Sequence, residues 1–181
     1  MAYQLVRSNS RPVSGACLLL DTSGSMSRID VPGGTLRRID LLARILSSVL
    51  TKVTPKHLIT FNSIVEEIPL GTSIELAEPC GGTDLAGALD HVAPLQGDPL
   101  VIISDGTPNS EDDAFRAMRR LQKRGARVVQ AYFCGADGGR DALRFLRDLA
   151  AMGAPGSSAG RFNLAEPEAI TDQVVRLLTH G

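Results

Sequence analysis

The chain has 181 residues, 43% of them hydrophobic, with 19 basic against 20 acidic side chains. That length suits one domain with a sizeable core, and the even charge offers no basic stripe or acidic tail for nucleic acid or an anionic membrane. No apolar run approaches the ~20 residues of a membrane span, and the run from Gly15 to Leu20 stops at Asp21, too soon for a secretory leader.

In chain order, residues 1–14 contain Ser8-Asn9-Ser10-Arg11-Pro12 and read as an N-terminal arm; 15–181 read as the domain. The first strand is expected over Ala16 to Asp21. It lacks alternation, so both of its faces should be buried, as in a parallel sheet covered by helices. Pro32-Gly33-Gly34 marks a turn. The clearest helix runs from Arg38 to Val53, with Leu42, Ile45, Leu46, Val49 and Val53 as one apolar stripe, and Pro55 stops it. Strands over His57 to Phe61 and Ile64 to Leu70 are separated by only Asn62 and Ser63. That is too short for a crossover helix, so an antiparallel hairpin at a sheet edge is expected.

Glu78 to Asp84 is a loop, followed by a short helix with Leu85, Ala88, Leu89 and Val92 inward. Leu100 to Ser104 is a second buried strand, ending on Asp105-Gly106. Ser110 with Asp113 resembles a capping box opening a helix that buries Ala114, Ala117, Met118 and Leu121, with Gly125 at its C-terminal cap. A strand over Ala126 to Cys134 and a helix over Asp141 to Ala151 follow. Gly153 to Gly160 reads as a surface loop, Arg161 to Leu164 as a last short strand, and Pro167 opens a final helix with Ile170, Val174, Leu177 and Leu178 inward. Strands alternating with helices predict an α/β fold with a mostly parallel sheet and helices on both faces. Ligands of such sheets sit outside the carboxyl ends of the strands. Asp21 and Asp105 fall at that edge, and the loop carrying Thr83 can reach it.

Asp21, Ser23, Ser25, Thr83 and Asp105 together offer two carboxylates and three hydroxyls. All are hard oxygen donors suited to Mg²⁺, with Mn²⁺ and Ca²⁺ as alternatives. No imidazole or thiolate belongs to the set, which disfavours Zn²⁺. Two carboxylates balance one divalent cation, while the hydroxyls add coordination without charge. A position left to solvent can then be taken by an acidic side chain of another protein. Gly24, Gly81, Gly82 and Gly106 beside these groups let the backbone turn closely around a small ion.

Asp21-Thr22-Ser23-Gly24-Ser25 is a D-x-S-x-S element. Thr83 follows within Gly81-Gly82-Thr83-Asp84, and a second aspartate within Ile103-Ser104-Asp105-Gly106. With these elements in this order, the sequence from about Ser14 onward resembles a von Willebrand factor A domain, and the five residues resemble that family's metal ion-dependent adhesion site. The resemblance implies a Rossmann-like fold: six strands, mainly parallel with one antiparallel edge strand, between helices. It implies that Ser23, Ser25 and Thr83 contact the metal directly or through water, that Asp21 and Asp105 act largely through water, and that a partner protein's Asp or Glu is the last ligand. Small bacterial members, including the tellurite-resistance-associated TerY-like type, resemble the chain most. They imply a cytoplasmic, stress-response protein working beside kinases, phosphatases or AAA+ ATPases.

Each of these residues also has a plainer reading. Ser, Gly and Asp after a strand are common turn formers, Thr83 alone could cap the helix after it, and Asp105-Gly106-Thr107-Pro108 alone reads as a turn. It is their joint occurrence that favours a metal site. Thr22, Asp84 and Ser104 read as supporting or capping groups, and Arg116, Arg119, Arg120, Lys123 and Arg124 as a solvated helix face. His57, His91 and His180 are dispersed. Cys17, Cys80 and Cys134 are odd in number, with no C-x-x-C pair, which predicts a reducing setting rather than a zinc site or disulfides.

The expected role is therefore a non-enzymatic, metal-dependent protein-binding module. The alternative is a Mg²⁺-dependent phosphatase or phosphotransferase with Asp21 as nucleophile. Such an enzyme wants a second carboxylate two residues on as general acid. Ser23 stands there and cannot supply that proton at neutral pH. Neither G-x-G-x-x-G nor a G-x-x-x-x-G-K-[ST] loop follows the first strand.

Overall fold

Two runs of five residues, Cys-Leu-Leu-Leu-Asp and Leu-Val-Ile-Ile-Ser, are buried along their whole length and form the middle of a six-stranded sheet. The computed structural model describes residues 15–30, 35–70, 76–95, 99–135, 140–161 and 167–180; their side chains are described except those of 161, 167–170, 177 and 180. The expected arm over 1–14, the Pro32-Gly33-Gly34 turn, residues 162–164 and the side chains of Ile170 and Leu177 lie outside the described residues.

The strands are β1 (Cys17–Asp21), β2 (His57–Phe61), β3 (Val65–Glu67), β4 (Leu100–Ser104), β5 (Val129–Phe133) and β6 (Ser158–Arg161). They lie in the order β3-β2-β1-β4-β5-β6. All neighbours pair in parallel except β2 and β3, which form the expected antiparallel hairpin at one edge. The helices are α1 (Arg38–Lys52), α2 (Leu85–Val92), α3 (Glu111–Arg124), α4 (Arg140–Ala150) and α5 (Pro167–His180).

Alternation within each strand divides the core in two. Leu18, Leu20, Val101 and Ile103 point to one face and pack with Leu42, Ile45, Leu46 and Val49 of α1 and Val174 and Leu178 of α5. Cys17, Leu19, Ile59, Phe61, Ile102 and Phe133 point to the other, against Leu89 of α2, Met118 of α3 and Phe145 of α4. Both faces are thus covered by helices, which is why the central strands read as unbroken apolar runs.

The helix ends follow their sequence signals. The backbone N–H of Arg37 donates to the Asp40 carboxylate, and Val53 closes α1 by donating to the Val49 carbonyl at 2.9 Å. Ser110 Oγ accepts from the N–H of Asp113 at 3.2 Å, and acids fill the first turn of α3 while Lys123 and Arg124 fill its last, as the helix dipole favours. Gly125 is the C-terminal cap of α3, as expected, with an extended backbone of φ 168°.

The last strand differs from expectation. It begins at Ser158, inside the stretch read as a loop, and runs to Arg161, where the strand was expected to start. Its Ser-Ala-Gly-Arg sequence has no apolar signature because what holds it is backbone pairing with β5, from Gln130↔Ser158 to Phe133↔Arg161. β3 and β5 are also shorter than the apolar runs that suggested them. Among the described residues no helix is long and apolar enough to cross a membrane.

Leu19 is wholly buried in the central strand. Leu19→Ala is expected to lower the unfolding free energy by ~3–5 kcal/mol, whereas Ile64→Ala, at an exposed hairpin position, should change it by less than ~0.5 kcal/mol. Urea titrations followed by circular dichroism measure both.

Candidate metal centre

The spatial order of the strands reverses between β1 and β4: the chain runs outward from β1 to β3 on one side and from β4 to β6 on the other. In doubly wound sheets the crevice at this switch point is where ligands bind. Asp21 ends β1, and Asp105 follows the last residue of β4.

Asp21 is fully buried. Its Oδ1 accepts the backbone N–H of Ser23 at 2.8 Å, and its Oδ2 accepts the Ser104 hydroxyl at 2.5 Å. The first bond is an Asp side chain turning the chain two residues on, which bends the backbone directly after the strand. A short 3₁₀ turn over Gly24–Ser27 follows, anchored by buried Met26 and by the Met26 N–H donating to the Ser23 carbonyl at 3.0 Å. This turn brings the Ser23 and Ser25 hydroxyl oxygens to 3.0 Å from each other. Ser25 Oγ also donates to Asp105 Oδ1 at 2.7 Å. Asp21, Ser23, Ser25 and Asp105 therefore form one linked group.

Thr83 arrives on a second loop. The Cys80 N–H donates to the Thr22 carbonyl and the Gly24 N–H to the Gly81 carbonyl, both at 3.2 Å, so the two loops are joined backbone to backbone. Gly81 has a φ of +68°, and a Cβ there would stand 2.5 Å from Ser63 Oγ, so this position requires glycine. Asn109 then fixes Thr83 reciprocally: the Thr83 N–H donates to Asn109 Oδ1 at 2.8 Å and the Asn109 N–H to the Thr83 carbonyl at 2.9 Å. Asp84, not Thr83, caps α2, its Oδ1 accepting the N–H of Gly87 at 2.9 Å. Thr83 is thereby relieved of the capping role, and its hydroxyl stands outside the hydrogen-bonded chain of the other four residues. A cleft of about 290 Å³ opens beside Thr83, lined by Asp84, Asp90, Asn109, Ser110 and Asp113 among others.

The electrostatics are those of two carboxylates in a dry place. Burial pushes Asp21 up to about 6; the Ser104 and Ser23 hydrogen bonds oppose that rise, and the charge of Asp105 adds to it. Burial likewise pushes the Cys134 thiol up to about 12, with Asp105 contributing, so that cysteine is an inert packing group. Cys80 is exposed. Two supporting residues were not anticipated from the sequence. Arg38 Nη1 donates to Asp105 Oδ2 at 2.7 Å, and the same guanidinium pairs with Asp30 through its Nε at 2.8 Å and through Nη2. The available signal was its place at the start of a helix, where a cation is electrostatically disfavoured.

Among the described residues no three His, Cys, Asp or Glu side chains converge as a metal site, so an ion here depends on the hydroxyls. The donor set fits one. Two oxygens in adjacent positions of an octahedral Mg²⁺ at 2.0–2.1 Å lie about 3.0 Å apart, and the two serine oxygens have that spacing. The Asp21 carboxylate, raised chiefly by burial, carries charge that a divalent cation would neutralise.

No protein-family model matches the chain, and no curated protein matches it. Among solved structures, the chain is similar in fold to a mostly parallel α/β protein class, the von Willebrand factor A-like domains. One similar solved structure is the crystal structure of the manganese-loaded Plasmodium vivax TRAP protein, with a TM-score of 0.58 and 20% identity over 97% of this chain and 77% of that one.

The raised Asp21 sets a sign. Its proton is held more tightly in the folded, metal-free state than in the unfolded chain, so its ionisation costs stability as pH rises from near 4 through about 6. Asp21→Asn is therefore expected to raise the melting temperature of the metal-free chain at pH 7 by a few degrees, with little change at pH 4. Scanning calorimetry in EDTA at both pH values tests this.

Proposed function

We propose that this chain is a metal-dependent protein-binding module and not an enzyme. In this reading Asp21, Ser23, Ser25, Thr83 and Asp105 hold one divalent cation, Mg²⁺ with Mn²⁺ and Ca²⁺ as alternatives, and a partner protein supplies an Asp or Glu as the remaining ligand. The observation that carries it is the Ser23–Ser25–Asp105 linkage at the switch point of the sheet: two hydroxyl oxygens 3.0 Å apart, backed by a buried carboxylate. The manganese in the similar TRAP structure supports the choice of a divalent ion.

When bound, the cation supplies an electrophilic position for a carboxylate. The chain's own residues do the rest. Asp21 and Asp105 provide the balancing charge without using all of the ion's coordination. Ser23 and Ser25 are held by backbone bonds of a tight turn, so their oxygens are in place before any ligand arrives. Asn109 fixes the Thr83 backbone from the opposite loop. The residue two positions after Asp21 is a serine bonded to another serine, so an acid to protonate a leaving group is missing where a phosphatase with an Asp21 nucleophile would need one. Within this reading the chain is a cytoplasmic protein of the TerY-like type, docking a kinase, phosphatase or AAA+ ATPase in a stress-response system.

Capture of a partner from cell lysate should be abolished by EDTA and restored by Mg²⁺. Asp21→Ala and Thr83→Ala should each lose capture while keeping the wild-type circular dichroism spectrum; capture by both variants would overturn the reading, as would robust Mg²⁺-dependent turnover of a phosphate ester. Because a ligand position is left for the partner, Mg²⁺ binding by the free chain should be micromolar or weaker in titration calorimetry. Nanomolar affinity would mean the site is already closed.

A further inference from the structure

Arg38 is a costly residue in its place. It begins α1, where the helix dipole is positive, and it is only 5% exposed. Burying a guanidinium there is unfavourable unless it is fully paired. Its pairing is complete and spans three parts of the site. The fork on Asp30 takes Nε and Nη2, Nη1 takes Asp105 Oδ2, and its backbone N–H donates to the Arg28 carbonyl at 3.0 Å. The guanidinium lies under Gly135, where a Cβ would approach its central carbon to 3.3 Å. Burial opposes the Arg38 charge, but the hydrogen bonds to Asp30 and Asp105 outweigh it, and the same fork lowers Asp30 below the usual carboxylate range.

Two consequences follow for the metal site. The first is orientation. Asp105 has one oxygen on Ser25 and the other on Arg38, so it cannot swing both oxygens toward an ion without breaking a buried ion pair. The second is charge. Asp21, Asp30 and Asp105 carry three negative charges and Arg38 one positive, so the group as built is short of two positive charges. That matches one divalent cation.

We infer that Arg38 is a positioning residue that holds Asp105 behind Ser25 and, with Asp30, sets the charge of the site to that of a single divalent ion. The inference rests on the metal-binding reading above. Arg38 weakens metal binding by the free chain and Asp30 offsets that effect.

The test is calorimetric titration of the full chain with Mn²⁺ alone, for wild type, Asp21→Ala, Arg38→Gln and Asp30→Asn, each checked by thermal melting in EDTA. Arg38→Gln removes a like charge and frees Asp105, and should tighten Mn²⁺ binding roughly tenfold. Asp30→Asn leaves the Arg38 charge unopposed and should weaken it roughly threefold. The two halves of one ion pair thus move affinity in opposite directions, although both changes should lower the melting temperature. A merely structural ion pair would lower affinity and stability together in both variants. If wild type binds Mn²⁺ and Asp21→Ala does not, but the two variants shift affinity in the same direction or not at all, the Arg38 inference is overturned and the metal site stands. If wild type binds no better than Asp21→Ala, the metal site itself is wrong and the inference falls with it. Should Arg38→Gln not fold, Arg38→Met takes its place in the same titration: tighter Mn²⁺ binding than wild type supports the inference, and equal or weaker binding overturns it.

Discussion

Two carboxylates stand at the ends of neighbouring central strands, and the polar architecture around them exists to make that tolerable. Asp21 and Asp105 are both nearly inaccessible. Ionised acids in such surroundings must be hydrogen-bonded or paired. Asp21 receives a backbone N–H and the Ser104 hydroxyl; Asp105 receives the Ser25 hydroxyl and the Arg38 guanidinium. The compensation is unequal. Asp105 has a full positive charge beside it, whereas Asp21 has only neutral donors, and burial pushes it up to about 6. The residual negative charge is therefore concentrated at the β1 side of the crevice, next to the serine pair.

The sheet order explains why the carboxylates meet there. β1 and β4 are adjacent and parallel, with Leu20 opposite Ile103. One further step along each strand puts Asp21 beside Ser104, and the next residue is Asp105. The helix after β1 packs on one face of the sheet and the helix after β4 on the other. The two connections diverge, and the strand ends between them are left uncovered. Arg38 at the start of α1 closes one side of that gap and the Thr83 loop the other, so the site is bounded by elements far apart in sequence but fixed to the same two strands.

Much of this was legible in the sequence because the signals are local or tied to burial. β1 and β4 end where the apolar run ends, since both faces are buried up to that point. Ser23 and Ser25 follow from the turn chemistry of Asp21, which acts over two residues. The edge hairpin follows from a connection too short for a helix. The start of β6 is not legible because a Ser-Ala-Gly-Arg edge strand carries no side-chain signal; its stability comes from the partner strand's backbone. Arg38 was read only as a helix start, because its two acids lie 8 and 67 positions away and no period links them. Asp105 and Thr83 join Asp21 because the predicted strand ends and the loop before α2 share one edge of a parallel sheet, and the family resemblance adds to that placement. The link from Ser25 to Asp105 is a contact of this structure.

The structure also separates the five oxygen-bearing residues into two mechanically different groups. Four are connected through hydrogen bonds that each use at least one of their side chains: the Asp21 carboxylate accepts the Ser23 backbone N–H, and the two serine hydroxyls lead on to Asp105. Thr83 is held through its own loop's backbone: Cys80 to Thr22, Gly24 to Gly81, Asp84 to the Asn62 carbonyl at 2.7 Å, and the paired bonds with Asn109, one of which uses the Asn109 side-chain oxygen. A side-chain linkage reorganises when one member changes, whereas a backbone linkage does not. The position of the Thr83 hydroxyl is set by the loop and not by the occupancy of the other four. The turn carrying Ser23 and Ser25 is likewise closed by main-chain bonds from Met26 and Arg28. Most of the frame that would surround an ion is thus built before the ion, and removing one side-chain oxygen changes what the frame can hold more than it changes the frame.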